Sequence, residues 1–351
     1  MAKSKYAKDR TRTIEELRQM QSLPLEAKIV KTQKRIKDWY DHYDGEVYLA
    51  FSGGIDSTVL RHLIKTTVGV YDVPSVFVNT GLEFPEIQKF VKECKGRDHD
   101  VEILYPTMNF VQVIQKYGYP AVSKEVSRHL DYATKAIAEG REKESRDYQA
   151  LMGYIKDKYG NKSMFNCDKW KYLLDADFKC SASCCDIMKK SPSKKYESET
   201  GRVQYVGTMA EESRLRVEKW LQSGCNAFDN NRPTSAPMSF WTHQDVLQYL
   251  VETKIPYCSV YGDIVQATDG KYYTTGVNRT GCIFCMYGAH LEKPVNRFQY
   301  LYFSHPRQYQ YCIGGGEYNE SGTWVPNKEG LGLGHVMDEV GINYKPTKRL
   351  F

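Results

Sequence analysis

No stretch of the chain approaches the roughly 18 consecutive apolar residues that a membrane-spanning helix requires, so a helical membrane protein is not expected. A secretory leader is lacking too, and the ten cysteines are therefore expected in a reducing, cytoplasmic compartment. There, clustered thiols are more often metal ligands or catalysts than disulfides. Internal repeats and low-complexity linkers are absent, which sets aside a repeat array. Strong charge imbalance is missing as well: a net charge of +6 over 351 residues permits contact with nucleic acid or an anionic cofactor without demanding it. The length allows one large domain with additions, or two domains. Tyrosine is abundant, with 27 copies, a feature compatible with base stacking.

The chain is organised around Tyr48 to Leu60, YLAFSGGIDSTVL. The apolar run Val47 to Phe51 suits a strand buried on both faces, and Gly53 and Gly54 let backbone N–H groups close on an anion with no Cβ in the way. A helix starting near Asp56 offers unpaired N–H groups and a positive dipole end to that anion. Ser52 and Ser57 add hydroxyl donors, and Asp56 sets a carboxylate where a phosphate-bound Mg²⁺ would sit. A plain tight turn before a helix is the alternative reading of the same residues.

From Thr13 the basic N-terminal part reads as helical: a Thr13 cap, acidic Glu15 and Glu16, a break near Pro24, then Leu25 to Trp39. Ser75 to Val78 is a second strand, ending in Asn79-Thr80-Gly81, with a helix from Phe84 to Cys94. Val101 to Tyr105 is a third, before a helix from Asn109 to Tyr117. Strand then helix, three times over, predicts βαβ units in a doubly wound parallel α/β sheet, with ligands beyond the carboxyl ends of the strands. Ser123 to Tyr159 reads as a charged helical cap, or a lid gripping substrate. Val203 to Gly207 resumes the sheet, with helices at Glu211 to Leu221 and His243 to Thr253. The expected organisation is a lead-in at 1–45, a nucleotide-binding domain at 46–255 with a helical insertion near 123–160, and an irregular cysteine-bearing region with terminal helices at 256–351.

Cys180, Cys184 and Cys185 lie together in KCSASCCDIMKK, and Cys282 and Cys285 form a CxxC about a hundred residues later. Two such groups can supply four thiolates to one metal centre, with Lys179, Lys189, Lys190 and Arg279 to offset their charge. A Cys₄ zinc site is one reading; adjacent cysteines suit a cluster whose separate irons each take one thiolate; buried thiols without a metal are a third. Cys94, Cys167, Cys225 and Cys258 read as small core residues.

In order, SGGIDS, NTGLEFPE, CCDIMKKSP, GTMAEESRLR, PMSFWTHQDVLQYL, IPYCSVYG and GCIFC resemble the phosphoadenosine phosphosulfate reductase family from about residue 45 to 290. The resemblance implies an adenine nucleotide α-hydrolase-like, Rossmann-like fold. It carries over Ser52, Gly53, Gly54, Asp56, Ser57, Asn79, Thr80, Gly81, Gly207, Glu212, Ser213 and Arg216 as nucleotide-site candidates, with Asp56, Ser57 and Arg216 as the catalytic ones. Cys184, Cys185, Cys282 and Cys285, with Cys180 in reserve, are similar to the four-iron four-sulfur pattern of the adenylyl-sulfate reductase branch. Departures exist. The sequence ends YKPTKRLF without the family's Cys-Gly tail, and Met209 and Met188 stand where arginines are usual.

The intact SGGxDS loop resembles the family's ATP-cleaving relatives. The expected activity is therefore ATP cleavage at the α-phosphate with Mg²⁺, in sulfur transfer or nucleic-acid modification, with a tRNA or DNA acceptor or protein partners. The basic residues Lys28, Lys31, Lys34, Arg35 and Lys37 and the tyrosines after Pro256 are the nucleic-acid candidates. The alternatives are a sulfonucleotide reductase using Cys312 and a non-catalytic nucleotide-binding subunit.

Overall fold

The computed structural model of the chain describes residues 12–346; the ends of the expected lead-in and C-terminal region, 1–11 and 347–351, lie outside the described residues. Thr13 caps α1 (Ile14–Gln21) through a capping box with Glu16, and Pro24 separates it from α2 (Leu25–His42). Then come β1 (Val47–Ala50), α3 (Ile55–Thr66), β2 (Ser75–Val78), α4 (Pro85–Asp98) and β3 (Val101–Leu104). Four helices follow: α5 (Phe110–Tyr117), α6 (Lys124–Ala138), α7 (Arg146–Met152) and the single turn α8 (Ser183–Cys185). A π-helical turn, Asp186–Lys190, carries the chain into α9 (Ser191–Thr200) and back to the sheet at β4 (Val203–Val206). Next are α10 (Arg214–Ser223), β5 (Asn226–Ala227), β6 (Thr234–Ser235), α11 (His243–Thr253) and a hairpin of β7 (Ile264–Gln266) and β8 (Tyr272–Thr274). The described chain closes with α12 (Arg297–Ser304), α13 (Pro306–Ile313), β9 (Glu317–Tyr318), β10 (Trp324–Val325) and α14 (Leu333–Val340).

These elements form two compact units that interleave along the sequence: 12–79 with 83–105 and 193–280, and 80–82 with 106–192 and 281–346. The first is built on a six-stranded sheet of order β3-β2-β1-β4-β6-β5, parallel except where β5 turns back on β6. It is the doubly wound α/β sheet that the strand–helix alternation predicts. Central β1 is apolar on both faces because both are covered: Val47, Tyr48 and Leu49 are all buried. On one side Tyr48 packs on Val76 and on Tyr196 of α9, and its hydroxyl donates to Glu197 at 2.6 Å. In α2, Leu25, Lys28, Thr32, Ile36 and Trp39 form the buried stripe. Lys28 therefore points inward, with Nζ donating to Asp245 of α11 at 2.6 Å and to the Gln21 carbonyl at 2.7 Å. The exposed Lys34 and Lys37 spend their charge locally on Asp38 and Asp41. Helix α2 thus offers less cationic surface than its composition implies.

In the second unit the stretch expected as continuous helix to Tyr159 breaks twice. Gly140 and Gly153 adopt positive φ, and Ser145 caps α7. Around Gly118 the approach is so close that a Cβ would lie 2.4 Å from the Lys179 carbonyl oxygen. This lets Tyr119 N–H donate to Lys179 O and Ser181 N–H to Tyr119 O, at 2.7 and 2.9 Å, fixing the first cysteine segment. The second is pinned by Ile283 N–H to Leu82 O and by Gly288 N–H to Val122 O, both 2.8 Å. Among the described residues no helix is long and apolar enough to cross a membrane.

Candidate active site

The sheet order reverses at β1, whose parallel neighbours β2 and β4 lie on opposite sides. That is the switch point at which doubly wound sheets open a crevice beyond their carboxyl ends. The Ser52–Gly54 loop leaves β1 there and becomes the N-cap of α3 at Gly54. Three loop and first-turn donors are held by hydroxyls: Ser52 N–H by Ser57 Oγ (3.2 Å), Gly54 N–H by Ser52 Oγ (3.3 Å) and Ile55 N–H by the Tyr261 hydroxyl (3.4 Å). Bonds this long are weak, and hydroxyls rotate, so phosphate oxygens can replace them at small cost. Gly53 needs its glycine: φ is +72°, and a Cβ would meet Val91 and Ile87 methyls at 2.9 and 3.0 Å. Gly53→Ala is expected to cost about 1–3 kcal/mol, read as a lower denaturant midpoint with unchanged slope.

Ser52, Gly54, Asp56, Ser57, Gly207, Glu212 and Arg216 line one cavity of about 660 Å³, a volume that suits a nucleotide-sized ligand. Gly207 leaves β4 hard against the start of α3, with space for no side chain: a Cβ would stand 3.1 Å from Ser57 N. The other first-unit candidates are set back. Gly53 faces Val91 and Ile87, Ser213 caps α10, and Asn79 follows β2 with its N–H on the Leu104 carbonyl at 2.8 Å. Thr80 and Gly81 belong to the second unit, where the Thr80 hydroxyl accepts from Leu82 N–H at 3.2 Å and Gly81 has φ +74°.

Asp56 is the electrostatic centre of the cavity. Its Oδ1 is shut off from solvent and accepts no hydrogen bond. Burial foremost, with Glu212 second, lifts its carboxyl to about 7 against the opposing pull of Arg216 and Arg279. Glu212 in turn accepts from the Arg216 guanidinium and from Met209 N–H at 2.8 Å. An orphaned buried carboxylate oxygen beside a second carboxylate and two guanidinium groups is a donor set fitting a hard divalent cation that carries phosphate.

Several lining residues escaped the reading of the sequence: Tyr261, His243, Gln244, Tyr272, Tyr273 and Arg279. Gln244 clamps the β7–β8 hairpin, donating to Tyr272 O at 2.9 Å and accepting from Tyr272 N–H at 2.8 Å. Their signal was the PMSFWTHQDV and IPYCSVYG segments, which contain His243, Gln244 and Tyr261. Arg279, expected to offset thiolate charge, acts on Asp56 instead.

The four cysteines assigned to a metal are brought into one neighbourhood of the second unit. The neighbouring Cys185 foremost, with burial and the charges of Cys282 and Cys285, pushes the Cys184 thiol up. Cys184, opposed by burial and helped by Lys124 and Lys189, draws the Cys185 thiol down. Burial raises Cys285, with Arg297 and Lys189 opposing, and Arg297 also donates to its carbonyl at 3.0 Å. The chemistry of this set, four thiols among cations, fits a thiolate-ligated centre. Among the described residues, however, no three His, Cys, Asp or Glu side chains stand close enough to hold a metal ion. Cys180 is buried, and burial with Asp131 raises its thiol to about 12. Of the supposed core cysteines, Cys94, Cys225 and Cys258 are buried and Cys167 is half-buried.

The model of the phosphoadenosine phosphosulfate reductase domain matches residues 46–153 and 130–286. The chain belongs to this family. An uncharacterized protein of Methanocaldococcus jannaschii is 26% identical over 254 residues, which are 71% of this chain and 38% of the relative. The match therefore spans well under half of that relative's length. The crystal structure of phosphoadenylyl-sulfate reductase from Candida auris in its phosphate complex aligns over 71% of this chain and 91% of that one, at 13% identity and a TM-score of 0.36.

Proposed function

We propose that this family member binds ATP in the cavity at the end of β1 and cleaves it at the α-phosphorus, releasing pyrophosphate as an acceptor oxygen takes the adenylyl group. The observation carrying this reading is the unpartnered Oδ1 of Asp56 at the mouth of the phosphate loop. Asp56, with Glu212 nearby, would hold Mg²⁺; the ion, when bound, supplies positive charge to the β- and γ-phosphates. The N–H groups of Ser52, Gly54 and Ile55 and the dipole of α3 face the charge that develops on the leaving pyrophosphate. Arg216 and Arg279 bind and orient the phosphate chain. Incubation with α-labelled ATP and Mg²⁺ is expected to yield AMP or an adenylate with pyrophosphate. ADP and phosphate would place the cut at the wrong phosphorus and end this reading, and binding without turnover would favour a non-catalytic subunit.

The sulfonucleotide reductase alternative needs a reactive thiol. Cys312 has no exposed surface, and burial pushes its thiol far up, the reverse of what a nucleophile requires.

Cys184, Cys185, Cys282 and Cys285 would hold a four-iron four-sulfur cluster, or zinc in the competing reading. Four protein thiolates leave no open iron, so the group would supply cross-linking and local charge. Protein purified without oxygen is expected to be brown, with about four irons per chain. Cys282→Ser should bleach it while Cys180→Ala should not; stoichiometric zinc without iron after anaerobic reconstitution would overturn the cluster.

A further inference from the structure

Between α7 and the Asp168–Leu174 turn the chain makes an ordered excursion that neither the sheet nor the cysteine neighbourhood explains. Lys156 pairs with Lys162 in an antiparallel bridge, and Ser163 N–H donates to Ile155 O at 2.9 Å. Asn166 clamps the base, accepting from Ile155 N–H at 3.1 Å and donating to the carbonyls of Ile155 and Ser163 at 2.8 and 2.9 Å. At the tip the Asp157 carboxylate accepts from Tyr159 N–H (2.8 Å) and Asn161 N–H (2.9 Å). The hairpin is therefore fixed by its own hydrogen bonds.

Burial shows what the excursion presents to solvent. Ser163 is buried and Ile155 half-buried, whereas Lys156, Lys158 and Lys162 are exposed. Lys156 and Lys162 are paired across the bridge, and Tyr154 precedes it while Met164 and Phe165 lie in the turn that follows it. Tyr154, Tyr159, Met164 and Phe165 are 64, 75, 80 and 59% exposed, a concentration of apolar surface that an ordered loop does not need. Like charges directly opposite one another destabilise a strand pair. Here they are only partly relieved: Lys162 meets Asp168 at 2.8 Å, whereas Lys156 and Lys158 make no ion pair among the described residues, and Lys158 lies over the Tyr159 ring at 4.8 Å. A local rule broken with only partial internal compensation points outward, to a partner.

We propose that this hairpin docks a single-stranded nucleic acid, its lysines on the phosphates and Tyr154, Tyr159 and Phe165 as stacking surfaces for unpaired bases. Alternating cations and aromatic faces complement the charge and the π-faces of a strand whose bases are not paired. The inference stands apart from ATP cleavage, because it concerns different residues and requires no nucleotide in the cavity.

The test uses the full chain and fluorescein-labelled twelve-nucleotide oligo(dT) and oligo(rU), without ATP. Affinity should fall with salt at a log–log slope of about −2 for three lysine contacts. Changing Lys156, Lys158 and Lys162 together to glutamine should remove most of that slope, and Tyr154→Ala with Tyr159→Ala should weaken binding at least tenfold. Pyrophosphate release from ATP should be unchanged in both variants, and unaltered melting curves would show that they remain folded. No binding at 50 mM salt, binding indifferent to both sets of changes, or capture by phosphatidylserine vesicles in place of the oligonucleotides would overturn the proposal.

Discussion

Lys28→Ala will be among the most damaging single changes in the chain, lowering stability by about 3–5 kcal/mol, because removing one partner of a buried ion pair strands the other. The lysine is 2% exposed and its ammonium meets Asp245 at 2.6 Å. Asp245 also accepts from Thr242 N–H (2.6 Å) and from the Thr242 hydroxyl (2.8 Å), so the same carboxylate caps α11. Loss of Lys28 therefore loosens the start of the helix that presents His243 and Gln244 to the cavity. Urea unfolding checks it: the midpoint should drop sharply, whereas Lys34→Ala, on the exposed face, should change stability by less than about 0.5 kcal/mol. Equal effects for the two lysines would mean that burial does not set the difference. Lys28→Met, which keeps the stem but still leaves Asp245 uncompensated, should behave like alanine rather than like wild type.

Lys28 also shows where reading the sequence fell short. Counted as one of five basic residues on a helix, it looks like a surface cation. Counted by position it falls three residues after Leu25, on the stripe continued by Thr32, Ile36 and Trp39, and helical spacing predicts it inside. The strand, loop and helix from Val47 to Thr66 were legible because all their determinants are local: an apolar run, two glycines, then amphipathic spacing. Arg279 and Tyr261 were not, because their places depend on where later segments return. Gln244 and Tyr272 are 28 residues apart, and no periodicity announces such a contact. The insertion was misread as helix to Tyr159 because lysines and tyrosines suit a solvated helix and a hairpin equally well; the positive φ of Gly140 and Gly153 decided it.

Asp56→Asn is expected to stabilise the protein while abolishing its chemistry. Asparagine keeps the volume and removes a charge that burial and Glu212 both disfavour. In the folded chain the Asp56 carboxyl holds its proton up to about 7, against an ordinary value of 3.8. The native state thus binds the extra proton between those values, and native stability falls as pH rises through that window and stays lower above it. The variant has no such loss. Its thermal midpoint should match that of wild type near pH 4 and exceed it at pH 8, by an amount equivalent to at most about 4 kcal/mol, the linkage of a carboxyl raised from 3.8 to about 7. Saturating Mg²⁺ and ATP should reverse the order, because a bound cation makes the buried carboxylate favourable and stabilises only the chain that can bind it. Mg²⁺-dependent pyrophosphate release should fall by about 10³-fold, the scale of losing an electrostatic contact used in the transition state. Chelating the metal from wild type should reproduce that loss. A variant that keeps its Mg²⁺-dependent rate, or whose midpoint tracks wild type at every pH, would move the metal and the phosphates away from Asp56. The loop hydroxyls of Ser52 and Ser57 would then be ordinary capping groups of α3, and Gly53 and Gly54 a turn into that helix.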